Sequence, residues 1–559
     1  MNLINKISFL ALVFASTILF IRCSAEEKEN QEMNEAKEAP FMWEASTVYF
    51  LLTDRFRNGD ESNDFNFNRD KETGVLRGFE GGDLRGIIQK IDANYFSDLG
   101  VNAIWMTPIV EQIHDATDEG TGKTYAYHGY WAKDWTSLDP NFGTKEELKE
   151  LVEKAHAKGI RVLLDAVVNH TGPVTDKDEQ WPDEWVRTSP TCSYENFETT
   201  VTCTLVDNLP DIRTESDKVV ELPEFLIEKW KNEGRYEEEV ASLDAFFETT
   251  GYPRAPRFYV MKWLSDYITE LGIDGYRVDT VKHTEEYVWQ EFNAICQTRF
   301  SEWKEANPEK VLDENDFYLV GEVYNYAISH EKSFDFGDKQ INYFDDAFAS
   351  LINFEFKWNA MQQTMEEHFS RYSDVLNGSM KGYSVLNYLT SHDDGQPYDA
   401  SREKGIEAAN RLLLSPGGAQ IYYGDESNRN LIVEDAVGDA TLRTMMNWEE
   451  IENNSDVQEV LSHWRKLGKF RQHHPSIGAG IHQKISDSPY AFSRHLKTDN
   501  FEDLVVVAFD MEEGSILELP EGFHNKNLRD AYSGETFNLK GDKLKADKAY
   551  DLLLLEIIR

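Results

Sequence analysis

Residues Gly272–His283 read Gly-Ile-Asp-Gly-Tyr-Arg-Val-Asp-Thr-Val-Lys-His. Within this stretch, Gly275–Val278 predicts a short buried strand, because its tyrosine and valine favour β structure. Arg277 and Asp279 lie two residues apart, so both side chains point to the same face of a strand. The guanidinium is expected to lower the pKa of Asp279 and keep it ionised, as a covalent nucleophile requires. The alternative is an Arg–Asp pair that only fastens the strand.

Seven further apolar runs flank this stretch and alternate with segments of helical periodicity. This rhythm predicts βαβ units and a parallel sheet. Eight such strands fit an α/β fold of the closed (β/α)8 TIM-barrel type, with its active site at the carboxyl ends of the strands. The predicted strands are Thr47–Leu52, Asn102–Met106, Arg161–Val168, Gly275–Val278, Phe317–Gly321, Leu351–Phe356, Ser384–Thr390 and Ala419–Tyr423.

Polar side chains lie at the carboxyl ends of the third, fourth, fifth and seventh predicted strands. Since these strands end at one mouth of a barrel, their side chains are expected to meet there. Two carboxylates are what retaining glycoside hydrolysis needs, one as nucleophile and one as acid and base. The residues in question are Asp165, Asn169, His170, Arg277, Asp279, Lys282, His283, Glu322, His392 and Asp393.

The barrel pattern is interrupted once and is followed by a different one. Residues 171–256, with a charged helical stretch over Pro223–Phe247, are too long for a loop and predict an inserted subdomain. Alternating patterns at Tyr490–His495, Leu504–Phe509, Ser515–Leu519 and Asp551–Ile558 predict a C-terminal antiparallel β domain. The predicted divisions are a signal peptide (1–22), an acidic tether (23–40), the first part of the barrel (41–170), the insertion (171–256), the second part of the barrel (257–448) and a C-terminal helix with the β domain (449–559).

The composition limits the possible partners. The chain has 101 Asp and Glu against 57 Lys and Arg, a formal net charge of −44. Such a polyanion is repelled by nucleic acid and by anionic lipid, which favours neutral or cationic partners. Aromatic residues make up 13% of the chain, and their flat faces suit sugar rings.

The first residues predict export. Lys6 gives a positive start, and the apolar run Ile7–Ile21 is too short to span a bilayer comfortably. Cys23 follows, which resembles a bacterial lipoprotein signal, although Arg22 stands where such signals carry a small residue. The alternatives are a lipoprotein of the outer membrane or cell surface, anchored through Cys23, and a soluble secreted or periplasmic protein cleaved after Ala25.

Three further cysteines and one polar loop are candidates for a disulfide, a buried thiol and a cation site. Cys192 and Cys203 share a polar segment, and export makes a disulfide between them plausible. Cys296 lies among apolar residues and predicts a buried thiol. The loop is rich in oxygen-bearing side chains, which a hard cation such as calcium prefers, but its spacing is not that of an EF-hand, so by itself it indicates only a polar loop. Its residues are Asn58, Asp60, Asn63, Asp64, Gly81 and Asp83.

The motifs together resemble the α-amylase family. Asp165–His170, Gly275–His283, Gly321–Tyr324 and Ser391–Asp393 are similar to its four signature regions. Leu-Pro-Asp-Ile (209–212) resembles a fifth region and Gly81–Ile87 a further block. The first third is similar to cyclodextrin glucanotransferases and their hydrolytic relatives. The resemblance implies the family's barrel, an inserted domain B after the third strand and a C-terminal β domain.

The resemblance also implies a role for each site residue. Asp279 matches the nucleophile, Glu322 the general acid and base, and Asp393 the transition-state stabiliser. Arg277 would orient the nucleophile. Sugar at the cleavage subsite would contact His128, Tyr130, His170 and His392, and the acceptor side would include Lys282, His283 and Tyr324.

Calcium is implied at two places. The polar loop (Asn58, Asp60, Asn63, Asp64, Gly81 and Asp83) matches the calcium site of glucanotransferase-like members. Asn169 and Asp211, with the carbonyl of His283, match a site that joins the barrel to domain B.

The function implied is hydrolysis of α-1,4 links in starch-like glucans. The alternatives are an α-glucan transglycosylase and a non-catalytic glycan-binding lipoprotein. Hydrolysis is favoured because Tyr324 stands where cyclising enzymes carry Phe, and Thr284 is small and polar where they are more apolar. The chain departs from the family pattern at Ser391 and Arg213, where Asn is usual, and in the stretch Pro223–Phe247.

Overall fold

The computed structural model describes residues 39–118 and 120–558. The predicted signal peptide and the predicted lipidation site at Cys23 lie outside these residues. Within the described ranges, no helix is long and apolar enough to cross a membrane.

Eight parallel strands close into a barrel in the order of the sequence, and we number them β1 to β8. Each pairs in parallel with its neighbours, and β8 closes the barrel on β1, with Ala419 opposite Thr47. The predicted TIM barrel is confirmed. The strands are β1 (Thr47–Leu51), β2 (Ala103–Met106), β3 (Arg161–Ala166), β4 (Gly275–Val278), β5 (Tyr318–Gly321), β6 (Ser350–Asn353), β7 (Ser384–Asn387) and β8 (Gly418–Tyr422).

Helices cover the outside of the barrel, and two of them begin with capping boxes. Thr144 accepts from the backbone N–H of Glu147, and Thr364 does the same for Glu367, which satisfies N–H groups that a helix start leaves free. The helices of this region are Thr53–Phe56, Leu84–Asp92, Tyr95–Asp98, Lys145–His156, Pro256–Leu271, Glu286–Ala306, Phe356–Gln362, Met365–Asn377, Gly405–Leu413, Trp448–Asn453, Ser455–His473 and Ser476–Ala479.

Apart from β4, the predicted strands of the barrel differ from the observed ones by one to three residues at an end, and two elements differ for an identifiable reason. The sixth strand stops at Asn353, because Phe356 already begins a helix. The spacing of apolar residues over 86–99 predicts one helix, but the structure has two, Leu84–Asp92 and Tyr95–Asp98, because Asn94 adopts a left-handed conformation with φ of 62°. A left-handed residue cannot continue a right-handed helix, and Asn tolerates that conformation better than most residues.

The insertion between β3 and the helix Pro256–Leu271 packs onto that helix. Trp185 stacks parallel to Trp263 with ring centres 6.3 Å apart, and Trp230 meets Trp263 edge-on at 6.3 Å. All three rings are buried. The predicted helical stretch 223–247 is two helices, separated where Gly234 adopts φ of 74°. The elements of the insertion are Val186–Arg187, Glu198–Val201, Asp211–Ile212, Glu224–Asn232 and Tyr236–Thr250.

A disulfide closes a loop within the insertion. Cys192 and Cys203 are bonded, with their Cα atoms 5.0 Å apart. Cys296 is a buried free thiol.

The last part of the chain forms an antiparallel sheet, which agrees with the predicted β domain. Its six strands lie in the spatial order Ile481–Asp487, Tyr490–Lys497, Glu502–Met511, Tyr550–Ile557, Asn527–Asp530 and Thr536–Asn538. A separate pair is formed by Ile516–Glu518 and Lys543–Lys545. Smaller pairs near the barrel are Val110–Gln112 with Ala132–Leu138, Thr117–Asp118 with Lys123–Thr124, and Phe334–Asp335 with Gln340–Ile341.

Candidate active site

One guanidinium joins three strand ends at the mouth of the barrel. Arg277 of β4 is 1% exposed, and its Nη1 lies 2.7 Å from Asp279 Oδ1 and 3.0 Å from Asp165 Oδ1. Its Nη2 lies 2.9 Å from Glu322 Oε2. The parallel register places Arg277 beside Asp165 of β3, and Asp279 and Glu322 follow the ends of β4 and β5. The chain therefore holds the two carboxylates of the predicted nucleophile and acid against one cation.

The backbone after β4 also donates a hydrogen bond to Glu322. Thr280 adopts a left-handed conformation, with φ of 49°, which is unfavourable for a β-branched residue. In this conformation its N–H donates to Glu322 Oε2 at 3.0 Å. A strained residue at such a position is typical of a functional site.

Burial controls the protonation of these carboxylates. It raises the pKa of Glu322 to about 7 and that of Asp279 to about 6, although Arg277 opposes both rises. The pKa of Asp165 is likewise raised to about 6 by burial. The sequence-based prediction of a lowered pKa for Asp279 is therefore wrong, because lost hydration outweighs the guanidinium.

Asp393 follows β7 and has two cationic or hydrogen-bonding neighbours of its own. Its Oδ2 lies 2.8 Å from His392 Nε2, and its Oδ1 accepts from Arg443 Nη2 at 2.6 Å. Burial would raise the pKa of Asp393, but these two neighbours more than offset it and hold the pKa well below its usual range. Asp393 is therefore ionised, and its side chain is 39% exposed to the cleft.

Three of the four predicted sugar-contacting residues line a cleft of about 800 Å³ together with Asp279 and Asp393, whereas the fourth, His392, is buried and is not part of its lining. Tyr130 donates its hydroxyl to Asp165 Oδ2 at 2.9 Å, and its ring stacks on His392 at 5.4 Å. His170 Nε2 lies 3.1 Å from the carbonyl of Tyr130. Burial lowers the pKa of His170 to about 4, so this imidazole is neutral. The predicted residues that line the cleft are His128, Tyr130 and His170.

Several residues that line the cleft were not predicted, among them a charged group of two arginines and one aspartate. Arg77 and Arg443 both pair with Asp439, Arg77 at 2.7 Å and Arg443 at 2.5 Å. Arg443 and Asp439 come from the segment after β8, and Arg77 from the loop after β1. Neither segment carries an apolar periodicity or a motif that would have indicated them.

Lys282, which was predicted to lie on the acceptor side, is surrounded by aromatic rings. Its Nζ lies 5.1 Å from the ring centre of Tyr324 and 5.8 Å from that of Tyr194, and it donates to the Tyr324 carbonyl at 3.3 Å. Tyr194 was not predicted, although the nearby cysteine pair marked its loop. Thr284 is fully buried, so its small polar side chain offers no surface to an acceptor and does not support the preference for hydrolysis inferred from it.

The disulfide-closed loop also holds His283. The carbonyl of Thr200, between the two cysteines, lies 2.9 Å from His283 Nδ1. The Tyr194 ring meets the His283 ring edge-on at 5.8 Å. The loop 192–203 therefore supports His283, one of the residues predicted to face the acceptor.

Within residues 39–118 and 120–558, no three His, Cys, Asp or Glu side chains are arranged to hold a metal ion. The two predicted calcium sites depend largely on amides and carbonyls, so each needs its own geometric test.

The first predicted site fits a hard cation. The Oδ1 atoms of Asn58 and Asn63 are buried acceptors without a hydrogen-bond donor. Asn58 Nδ2 donates to Asp64 Oδ1 at 2.8 Å, and a Cβ on Gly81 would come within 2.6 Å of both side chains. Unpartnered oxygens around a position that only glycine permits are compatible with calcium. The side chains of the remaining two members point elsewhere, Asp60 to Ser62 and Asp83 mainly to backbone N–H groups.

The second predicted site does not fit a bound cation. Asn169 Nδ2 donates to Asp211 Oδ1 at 2.7 Å and to the His283 carbonyl at 3.1 Å. Arg187 Nε lies 2.9 Å from Asp211 Oδ2, and both side chains are buried. The two acceptors that a metal would use thus already face N–H groups, and Arg187 supplies the positive charge.

Comparison with known proteins agrees with the geometry. The family described as "Alpha-amylase: Alpha amylase, catalytic domain" matches residues 50–475. A periplasmic alpha-amylase of Escherichia coli (strain K12) is 35% identical over 502 residues, covering 79% of this chain and 69% of the relative. A cyclomaltodextrin glucanotransferase of Geobacillus stearothermophilus is 26% identical over 558 residues, covering 95% and 69%.

Solved structures share the fold. A crystal structure of an alpha-amylase from Anoxybacillus has a TM-score of 0.62 and 23% identity, covering 93% of this chain and 100% of that one. The barrel, the carboxylates at its mouth and the sequence relatives lead to one conclusion: this chain is a glycoside hydrolase that belongs to the α-amylase family.

Proposed function

We propose that this protein hydrolyses α-1,4-glucosidic bonds of starch-like α-glucans or maltooligosaccharides with retention of configuration. The observation that carries the proposal is the pair Asp279 and Glu322, held against the same guanidinium at the mouth of the barrel, where Asp279 lines one cleft with Asp393. Retaining hydrolysis needs one ionised carboxylate and one protonated carboxyl close together. Burial gives Glu322 the higher pKa of the two, which suits it to the role of acid.

The residues divide the reaction between them. Asp279 attacks the anomeric carbon as the bond to the leaving oxygen breaks, and Glu322 gives its proton to that oxygen. Water then attacks the glycosyl–Asp279 intermediate, Glu322 takes the proton, and the sugar leaves with its original α configuration. Arg277 orients Asp279, while Asp393, kept ionised by His392 and Arg443, binds sugar hydroxyls as the ring distorts.

The test is to incubate the protein with maltooligosaccharides and follow the products by NMR. We expect linear products that are released as the α anomer. Release of the β anomer, or no reaction at all, would contradict the proposal. A transglycosylase would use the same intermediate, and early cyclic or elongated products would show that transfer dominates.

We expect a bell-shaped pH dependence of kcat/KM. Asp279 must be ionised, so the rate should fall as the pH drops below about 6, whereas Glu322 must be protonated, so it should also fall above about 7. The pKa values that the two limbs report are properties of Asp279 and Glu322 together, because both carboxyls contact Arg277. Initial rates on 4-nitrophenyl α-maltotrioside test this, and Glu322→Gln should abolish the alkaline limb. A flat profile, or an alkaline limb that persists in Glu322→Gln, would refute the assignment.

We also propose that the first calcium set binds one Ca²⁺. Asn58, Asn63, Asp64 and the backbone at Gly81 would hold it, and it would fasten the loop after β1. Chelation is then expected to lower the melting temperature, because an ion bound only by the native state stabilises by about 2.7 kcal/mol when present at about 100 times its Kd.

Elemental analysis should find one calcium per chain rather than two, because at the second predicted site Arg187 already supplies the positive charge beside Asp211. Asn58→Ala should lose the ion, whereas Asp60→Ala is the matched control and should keep it. An unchanged melt in excess chelator, with no calcium in the purified protein, would remove the site.

We further propose export, with a lipid anchor at Cys23. The name of the periplasmic relative and the Cys192–Cys203 disulfide both support an oxidising compartment. Labelling with a fatty-acid analogue should mark the wild type but not Cys23→Ala. A mature protein that begins at Glu26 would instead indicate a soluble secreted or periplasmic form.

A further inference from the structure

The loop that Cys192 and Cys203 close contacts the turn after β4 through its middle. The carbonyl of Thr200 lies 2.9 Å from His283 Nδ1. Because a carbonyl can only accept, this contact puts the ring hydrogen on Nδ1 and leaves Nε2 as the acceptor of a neutral ring. The Tyr194 ring packs edge-on against the same imidazole. The loop therefore sets both the tautomer and the orientation of His283.

A second set of contacts joins the loop to the segment between β5 and β6. The N–H of Phe197 donates to Asp338 Oδ1 at 2.9 Å, and Lys339 Nζ lies 3.9 Å from the centre of the Phe197 ring. That ring also meets Phe336 edge-on at 5.2 Å. The proposed nucleophile and acid begin the segments that follow β4 and β5. The loop therefore spans the two segments on which the reaction depends.

Outside these contacts, the loop is held mainly by the disulfide and by two hydrogen bonds at its neck. The N–H of Cys192 donates to the Thr204 carbonyl at 2.9 Å, and the N–H of Thr204 donates to the Pro190 carbonyl at 2.8 Å. Among the described residues 192–203, the apolar side chain that packs against the main core is that of Phe197, which is half-buried. Breaking the disulfide is therefore expected to loosen the loop and to leave the rest of the fold in place.

We propose that formation of the Cys192–Cys203 disulfide switches the protein from a weakly active to a fully active form, because it fixes His283 for the substrate. The inference rests on the proposed function and on the proposed export, and it adds a regulation of the same site. Thiols stay reduced in the cytosol and are oxidised in exporting compartments. The protein would therefore reach full activity on glucans only after export.

The switch requires thiol–disulfide exchange with an oxidised dithiol–disulfide oxidoreductase. One cysteine thiolate attacks the partner's disulfide and forms a mixed disulfide, and the second thiolate then displaces the partner as a dithiol. One sulfur–sulfur bond forms as one breaks, two electrons pass to the partner, and the two thiol protons end on the partner's sulfurs. Cys192 is the more accessible of the two residues, since it is half-buried whereas Cys203 is 2% exposed.

The experiment compares the oxidised protein with the protein reduced by dithiothreitol, on two substrates. Maltoheptaose has sugar on the leaving-group side of the cleaved bond, whereas maltotriosyl fluoride has only a fluorine atom there. We expect reduction to lower kcat/KM for maltoheptaose by about 3- to 10-fold, the range of one net hydrogen bond, and to change kcat/KM for the fluoride little. Reoxidation with glutathione disulfide should restore the rate. The double variant Cys192→Ser, Cys203→Ser should show the low rate without reductant.

Cys296→Ala is the matched control, because Cys296 is a buried free thiol outside the disulfide. It should respond to dithiothreitol as the wild type does. A loss of equal size on both substrates, as general unfolding would cause, would overturn the proposal. Unchanged rates on both substrates after complete reduction would overturn it as well.

His283→Ala tests whether the effect passes through this histidine. In that variant, reduction should lower kcat/KM for maltoheptaose much less than in the wild type, because the contact that reduction loosens is already gone. The same fold-loss on reduction in both proteins would refute the proposal, since the loop would then act on the site by another route.

Nitrogen NMR of the histidine rings separates this proposal from the proposed function. The His283 signals, assigned by their absence in His283→Ala, should be those of a ring with its hydrogen on Nδ1 in the oxidised protein, and reduction should shift them. If neither substrate is hydrolysed in either state, the proposed function fails, and the ring signals still decide whether the disulfide controls His283. Identical His283 signals in the two states would refute the switch even in an active enzyme.

Discussion

Asp279→Asn and Glu322→Gln are each expected to lower kcat on maltooligosaccharides by about 10³-fold or more, with little change in the melting temperature. The first variant removes the group that forms the covalent bond, and the second removes a proton transfer that is worth about 10²–10⁴-fold. Folding should survive, because each replacement keeps its size and Arg277 retains its other carboxylate partners.

The two losses can be told apart with an activated substrate. Maltotriosyl fluoride needs no acid to release fluoride, so Glu322→Gln should still form the glycosyl enzyme, and mass spectrometry should find the adduct on Asp279. Asp279→Asn should form none. More than a tenth of wild-type activity on maltooligosaccharides in either variant would contradict the assignment, and so would an adduct elsewhere.

Arg277→Met is expected to have the second largest effect, this time on stability as well as on rate. Removing one partner of a buried ion pair typically costs about 3–5 kcal/mol, and here three carboxylates would lose the same cation. The rate should fall too, because Asp279 would lose both its orientation and the charge that opposes its protonation.

The pH dependence identifies the cause of this loss. A carboxyl whose pKa is raised in the folded state favours folding at low pH and opposes it as the pH rises. The stability deficit of Arg277→Met should therefore be largest above about pH 7 and shrink in acid. Adding Asp165→Asn should recover part of the deficit, because one buried charge fewer is left unpaired. A deficit that is independent of pH, with no recovery in the double variant, would show that Arg277 matters only for packing.

The barrel could be predicted because its strands are short apolar runs at a regular spacing. β4 has the predicted bounds, since its glycine and its strand-ending polar residues limit it on both sides. The predicted helix boundaries were wrong where the conformation of a single residue set them. At Asn94 and Gly234 a positive φ ends a helix that the apolar pattern would have continued.

The meeting of the candidate catalytic residues could be predicted for a related reason: parallel strands bring whatever follows them to one mouth. The positions of Arg77, Asp439 and Tyr194 could not, because these residues lie on long segments whose course no periodicity indicates. The direction of the Asp279 pKa was also beyond the sequence. A neighbouring arginine can be read from spacing, but the loss of hydration that outweighs it depends on the whole barrel around the site.

The charges along the main cleft have a consequence for the chemical modification of the substrate. Aspartates outnumber the arginines on its walls, and the chain as a whole is strongly anionic. A natural glucan that carries phosphate esters would bring a dianion close to these carboxylates. Repulsion between like charges is stronger in a partly dehydrated cleft than in water, so binding of the modified units is expected to be weak. Digestion of a phosphorylated starch should therefore stop short of the modified units and leave phosphate-bearing fragments. The lining residues concerned are Asp118, Asp207, Asp279, Asp393 and Asp439, against Arg77 and Arg443.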